Sequence, residues 1–249
     1  MFPAVVFHRA KLRLMTLAQG QVRCLALAGE LVTDKAGLEI GGPSQVFSRK
    51  WMPIYSSLRR LDNCDFSNDT TWVKHEQEFK FHAQKPAGKN IFCDGSDLSA
   101  ITDGTYDFVL SSHNLEHFAN PVKALKEWQR VTKHGGSLIL VLPYYKYTFD
   151  HKRSPTPVAQ MLRDYEQGTS EADLSHLEEI LKDHDLRRDP GAGSIEDFHR
   201  RSLANFENRC LHQHVFDCEN IKELLTSLGM KVLITEFAWP FHIFAIAKM

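Results

Sequence analysis

A chain of 249 residues with 43% hydrophobic and 24% charged side chains is long enough to bury one large core, and this balance excludes both intrinsic disorder and a fibrous repeat. The formal net charge of −1 supplies no basic field, so nucleic acid and anionic membrane surfaces are not expected partners. Five cysteines are scattered without a C-x-x-C pair and read as reduced thiols of a cytoplasmic protein; no apolar run approaches the ~20 residues of a membrane span.

The first 29 residues hold no acid and no serine beside Arg9, Lys11, Arg13 and Arg23, which reads as an amphipathic helix rather than a transit peptide. That helical preface covers residues 8–32, within an N-terminal extension ending at residue 36. Gly37-Leu38-Glu39-Ile40 then predicts a short buried strand running into a tight turn, Gly41-Gly42-Pro43-Ser44. Further strand-like segments are predicted at residues 58–61, 89–93, 106–111 and 137–143. The clearest helix opens at Asn120-Pro121, an N-cap followed by proline at the first helical position, and closes at Gly135-Gly136. Val122, Leu125, Trp128 and Val131 give it one apolar stripe, and the run 138–142 reads as a strand buried on both faces. Ile221, Leu224, Leu225 and Leu228 mark a second helix over 219–228, stopped by Gly229. Residues 231–237 and 242–247 read as two strands of a closing antiparallel hairpin.

This alternation predicts a single α/β domain over residues 1–249, with a mostly parallel sheet between helices. Residues 144–215 are polar, histidine-rich and too many for an ordinary strand-to-helix connection. They are expected to form a helical cap packed on the main domain, with too few apolar residues for a core of their own. Residues 74–89 form a second, irregular insertion.

The turn after Glu39 brings backbone N–H groups to a ligand with no Cβ in the way at Gly41 and Gly42. Asp62 lies 21 residues after Gly41 and is read as the acid at the end of the second strand, suited to both hydroxyls of a ribose. Either Asp62 or Asp65 can equally cap a turn. Glycine turn plus spaced acid points to an adenosine cofactor without saying which.

Asp97-Leu98-Ser99-Ala100-Ile101, the segment from Tyr106-Asp107-Phe108-Val109 through Ser111-Ser112-His113-Asn114-Leu115-Glu116-His117, Arg130-Val131 and Gly135-Gly136 narrow the choice. In order and spacing they resemble the class I methyltransferases of the type 11 family, over about residues 37–143. The resemblance implies a Rossmann-like fold, a mostly parallel seven-stranded sheet with an antiparallel last strand, and S-adenosylmethionine as cofactor. It further implies that Glu39, Gly41 and Gly42 shape the methionine side and that Asp62 holds the ribose. Asp97 would accept the adenine amino hydrogen with Leu98 against the ring, and Ser111 and His113 would lie near the sulfonium. Pro43 stands where the family pattern has spaced glycines, fixing φ and removing a donor, so the methionine carboxylate falls to Ser44 or another N–H. Asp107 reads as structural, and Arg130 as a helix-surface partner of Glu127 at i, i+3.

His113/His117 and His212/His214 have spacings that present paired imidazoles, but no H-E-x-x-H or facial-triad pattern supplies a carboxylate, so no metal site is expected. The reading is methyl transfer to an oxygen of a small polar metabolite: a sugar, a sugar phosphate or a phosphate-like anion. His117 or His151 is the expected base, and Lys152, Arg153, His212 and His214 the acceptor-binding residues. The protein is expected to be a monomer or homodimer. Two other readings stay open: an S-adenosylmethionine-binding module without turnover, and an NAD-dependent oxidoreductase. The second is set back by the lack of G-x-G-x-x-G and of a Tyr-x-x-x-Lys pair.

Overall fold

The computed structural model describes residues 23–70, 74 and 76–249. A helix over residues 23–32 (α1) leads into the first strand; the rest of the expected helical preface, residues 8–22, lies outside the described residues. One sheet contains β1 Ala36–Ile40, β2 Arg60–Asp65, β3 Glu78–Phe79, β4 Gly88–Phe92, β5 Tyr106–Ser112, β6 Thr132–Pro143, β7 Lys231–Ala238 and β8 His242–Lys248. Its order is β3-β4-β2-β1-β5-β6-β8-β7. Strands β4, β2, β1, β5 and β6 pair in parallel, whereas the last strand, β8, runs antiparallel to both β6 and β7. The one addition to the seven expected strands is the two-residue β3, antiparallel to β4 inside the 74–89 insertion. The helices after α1 are α2 Pro121–Val131, α3 Val158–Glu166, α4 Leu177–Asp183, α5 Ile195–Leu203, α6 Asn205–Asn208 and α7 Cys218–Ser227.

Side chains alternate across each strand, so the central strands feed two cores. Leu138, Leu140 and Leu142 of β6 join Leu38, Val109, Trp128 and Leu224 on one face. Ile139 and Val141 join Phe108, Leu110, Phe47 and Ala28 on the other. The unbroken apolar run of β6 is therefore a strand covered on both sides. Helix α2 starts as its sequence dictates: Asn120 Oδ1 accepts the Lys123 N–H at 2.9 Å, with Pro121 in the first turn. It stops at Val131, short of the expected Gly135-Gly136, because Thr132 already pairs with Tyr106 as the first residue of β6.

Strand β2 departs most from expectation, and the departure moves the site. It runs over Arg60–Asp65 instead of 58–61, after a short turn at Tyr55–Ser57. Asp62 then lies beside Leu38 in mid-strand, while Asp65 closes the strand one residue beyond Cys64, the partner of Ile40.

Residues 144–215 pass over the C-terminal strand ends as α3 to α6 and intervening turns. Val158 and Met161 of α3 enter the main core, and the His214 N–H donates to Glu116 O at 3.2 Å. Ile180, Ala192, Phe198 and Leu211 cluster within this segment. It thus has a small core of its own, contrary to the sequence reading, because these four residues are scattered in sequence and meet only when the helices fold.

Candidate active site

A cavity of about 400 Å³ opens where β1, β2, β4 and β5 end, beneath the 144–215 segment. Its floor is the glycine corner. Gly41 has φ +73°, and a Cβ there would lie 2.4 Å from Asn114 Nδ2, so both conformation and space require glycine. Gly42 is pinned from below: its N–H donates to Asn63 Oδ1 at 2.8 Å, and a Cβ would lie 2.4 Å from the Glu39 carboxyl carbon. Glu39 is fully buried, and its carboxylate accepts from Tyr55 Oη at 2.6 Å and from the Ser44 N–H at 3.1 Å. Burial pushes this carboxyl up to about 7 against those two bonds. Ser44 Oγ accepts from the Val46 N–H at 3.2 Å. Of the expected loop residues only Gly41 reaches the cavity wall; Glu39, Gly42 and Ser44 brace the loop from behind.

The two acids assigned from sequence do not face this cavity. Asp62 is buried and accepts from Arg60 Nε and Nη2 at 3.2 and 2.8 Å, from the Lys89 N–H at 2.9 Å and from Tyr106 Oη at 3.0 Å. The wall carries Asp65 instead, with Phe66 beside it. Asp97 is exposed, its carboxylate accepting the Ser99 N–H at 3.2 Å as a turn cap; Asp94, followed by Gly95, takes the place at the wall. Asp94 accepts the Ser96 N–H at 2.8 Å and pairs with Arg209 at 3.2 Å. Leu98 is a core residue, and Ser111 is buried one position behind Ser112, which does line the wall. Asp107 and Arg130 are bracing residues: Asp107 accepts the Ala36 N–H at 2.9 Å, and Arg130 adds bonds to the Ile101 and Leu98 carbonyls, each 2.8 Å, to its pair with Glu127.

The opposite wall is built from β5, the turn after it and the overlying segment. His113 adopts φ +51°, lies at the wall, and its Nε2 is 2.8 Å from His242 Nδ1; burial and the neighbouring imidazoles push it down to about 3. Glu116, His117 and His212 meet there. Glu116 is 1% exposed, and neither of its carboxylate oxygens has a hydrogen-bond partner. Its Oε1 lies 4.0 Å from His117 Nε2 and 4.0 Å from His212 Nε2. Burial pushes the Glu116 carboxyl up to about 7 and holds His117 well below the usual imidazole range. His212 is moved the other way: the Asp150 carboxylate, 2.6 Å from Nδ1, outweighs burial and raises it.

Of the remaining expected residues, none lines the cavity. His151 Nε2 lies 3.0 Å from Asp185 Oδ2, and Lys152 is exposed. Arg153 is 3% exposed, away from the cavity wall, and directs four of its five N–H donors to Asp150, Glu179 and the His212 and Gln213 carbonyls. His214 is buried with Nε2 3.2 Å from Ala119 O. Among the described residues the cation at the wall is Arg209, held by Asp94 and, at 2.9 Å, by Glu171. Sequence reasoning missed Asp65, Asp94, Asn114, Glu116, Asp150 and Arg209. The general rule that α/β sheets bind ligands outside the carboxyl ends of their strands selects Asp65 and Asp94 once the strand ends are known.

Residues 39–140, which run from the glycine corner to the middle of β6, match the family model described as a methyltransferase domain. The chain therefore carries a methyltransferase domain over these residues. Solved structures share the fold of this chain at low identity. One is the 1,6-didemethyltoxoflavin-N1-methyltransferase of Burkholderia thailandensis, with 11% identity, TM-score 0.50, 93% of this chain and 77% of that one covered. Another is the trans-methyltransferase CalH in complex with SAH, with 14% identity, TM-score 0.50 and coverage of 90% and 54%. No curated protein matches the chain. The match is to a methyltransferase domain and sets aside the reading as an NAD-dependent oxidoreductase. Among the described residues no helix is long and apolar enough to cross a membrane.

Proposed function

We propose that this methyltransferase methylates an oxygen of a small, uncharged, hydroxylated metabolite, a sugar or a related compound, held between the cofactor corner and the 144–215 cap. The cofactor fits the corner residue by residue. Gly41 gives the backbone room beside the methionine portion, Asp65 accepts the ribose hydroxyls, Asp94 accepts the adenine amino hydrogens, and Phe66 and Phe118 offer ring faces at the same wall. When bound, S-adenosylmethionine supplies a methyl group on a sulfonium: the C–S bond breaks as the C–O bond forms, and a neutral thioether departs.

The chain's own residues then have two tasks. The first is alignment, since in-line displacement gains chiefly from holding nucleophile and methyl in register. The cap serves it by standing over the cavity with Thr148, Phe149 and His212, at a space of about 400 Å³ that suits small molecules. The second is ionisation of the acceptor hydroxyl, whose proton leaves on the side of the Glu116–His117–His212 cluster, with Asp150 positioning His212. The observation that carries this reading is Glu116: a buried carboxylate with two unpartnered oxygens at the cavity wall is costly unless it serves a ligand. An anionic acceptor is disfavoured because Lys152 and Arg153 are not at the wall and Arg209 is held by two carboxylates.

The test is incubation with S-[methyl-¹⁴C]adenosylmethionine and fractionated metabolites. The reading expects label in a neutral, hydroxylated fraction and not in phosphorylated sugars; label confined to protein or RNA would refute it.

A further inference from the structure

We propose that Glu116, His117 and His212 form a binding site for a divalent transition-metal ion of the zinc type, open toward the acceptor side of the cavity. One carboxylate oxygen and two imidazole nitrogens from these residues lie within 4.8 Å of one another. Adjustments of a fraction of an ångström bring such a set to metal distances of about 2.0–2.2 Å. Two nitrogens and one carboxylate oxygen are the donor set of catalytic zinc sites that keep a fourth position open.

Proximity alone does not carry this. Each histidine is oriented by a partner at its other nitrogen, as metal-binding imidazoles are. His117 Nδ1 is 3.0 Å from Leu211 O, an acceptor only, so Nδ1 carries the hydrogen and Nε2 the lone pair. His212 Nδ1 is 2.6 Å from Asp150 Oδ2, so its neutral ring likewise presents the Nε2 lone pair. Asp150 is itself fixed by Arg153 at 3.0 Å. Both Nε2 atoms lie 4.0 Å from the same Glu116 oxygen. That oxygen and its twin are buried and without hydrogen-bond partners, the condition a bound cation relieves. The expectation of no metal rested on the lack of a carboxylate placed with the histidines, and Glu116 occupies that place because residues 116–117 and 212 are joined by the fold, 95 positions apart. His113 Nδ1 stands 3.9 Å from Glu116 Oε1, but its ring is held to His242, so it borders the site without completing it.

All three ligands line the cavity, so the open position faces the space assigned to the acceptor. The site therefore suits an oxygen ligand of a small molecule, and only this last step rests on the proposed acceptor position. The test uses full-length protein dialysed against a chelator and titrated with CoCl₂, read by the visible absorption of tetrahedral Co²⁺. The expected result is one Co²⁺ per chain, displaced by one Zn²⁺. Glu116→Gln, of the same shape, is expected to abolish the absorption while keeping the circular dichroism of the wild type; Asp150→Asn is expected to weaken Co²⁺ binding by roughly 10- to 100-fold. Should Glu116→Gln fail to fold, His117→Gln takes its place in the comparison. Absence of the band in the wild type, or an equal band in a folded ligand variant, overturns the site. S-adenosylhomocysteine titrated calorimetrically into the same samples separates the two claims: cofactor binding without metal sinks only the metal site, and metal without cofactor sinks the methyl-transfer reading.

Discussion

Asp62 and Asp65 differ by three positions and are predicted to fail in different ways. Truncating Asp62 to alanine strands the Tyr106 hydroxyl, whose residue is 5% exposed, and the Lys89 N–H. Each abandoned donor costs on the order of 1–3 kcal/mol. The Arg60 pair adds little, since that side chain is half exposed. A loss of about 3 kcal/mol lowers the melting temperature of a domain this size by roughly 6–12 °C. Asp65→Ala touches none of these bonds; it removes the acceptor of the Phe66 N–H, 2.8 Å from Oδ1, and of two ribose hydroxyls in the proposed complex. The expected loss is about 2–3 kcal/mol of binding, or roughly 30- to 150-fold in the Kd for S-adenosylhomocysteine, with a smaller fall in melting temperature than Asp62→Ala gives. Calorimetric titration and thermal melts on both variants read the two effects independently. If Asp62→Ala melts like the wild type yet no longer binds the nucleoside, the ribose acid has been placed on the wrong residue.

Three further outcomes follow from the same geometry. Asp94→Ala is expected to weaken S-adenosylhomocysteine binding by about 1–3 kcal/mol, whereas Asp97→Ala leaves it unchanged by the same titration; equal losses would remove the distinction between them. His151→Gln and Lys152→Ala are expected to leave kcat/KM within a factor of about 2 once an acceptor is in hand, because neither lines the cavity. Glu39 gives a pH signature. Its folded-state pKa of about 7 lies above its ordinary 4.5, so the folded protein holds the proton more tightly. That stabilisation is complete below the ordinary value and is lost as pH rises through about 7. Wild type is therefore expected to lose about 2–3 kcal/mol relative to Glu39→Gln between about pH 5 and pH 8, measured by urea unfolding; a constant gap contradicts it.

How much was legible in the sequence depended on the range of the interaction concerned. Local patterns read true: Asn120-Pro121 capped α2, the run 138–142 lay in the doubly covered β6, and the closing hairpin formed. Asp62 and Asp97 fall outside the cavity wall because of strand ends, which local propensity places only within a few residues. Placing the second strand at 58–61 put Asp62 at its tip; with the strand at Arg60–Asp65 it falls in the middle. Arg60, two residues before Asp62 on the same strand face and opposite in charge, was the available signal for a structural pair. Asp97 was chosen over Asp94 although the predicted strand over 89–93 ended immediately before Asp94. The meeting of Glu116-His117 with His212, and of His212 with the Asp150–Arg153 pair, had no local signal, since His212 lies in a separate segment that only the folded cap brings to them. Spacing showed paired histidines and a glutamate beside His117, but it could not show that His212 meets them.

The most direct measurement is a crystal structure with S-adenosylhomocysteine. The account predicts the ribose hydroxyls on Asp65, the adenine edge at Asp94 and Gly95, and the sulfur turned toward the wall of Glu116 and His212. A nucleoside seated against Asp62 or Asp97, or a thioether turned away from that wall, would contradict it.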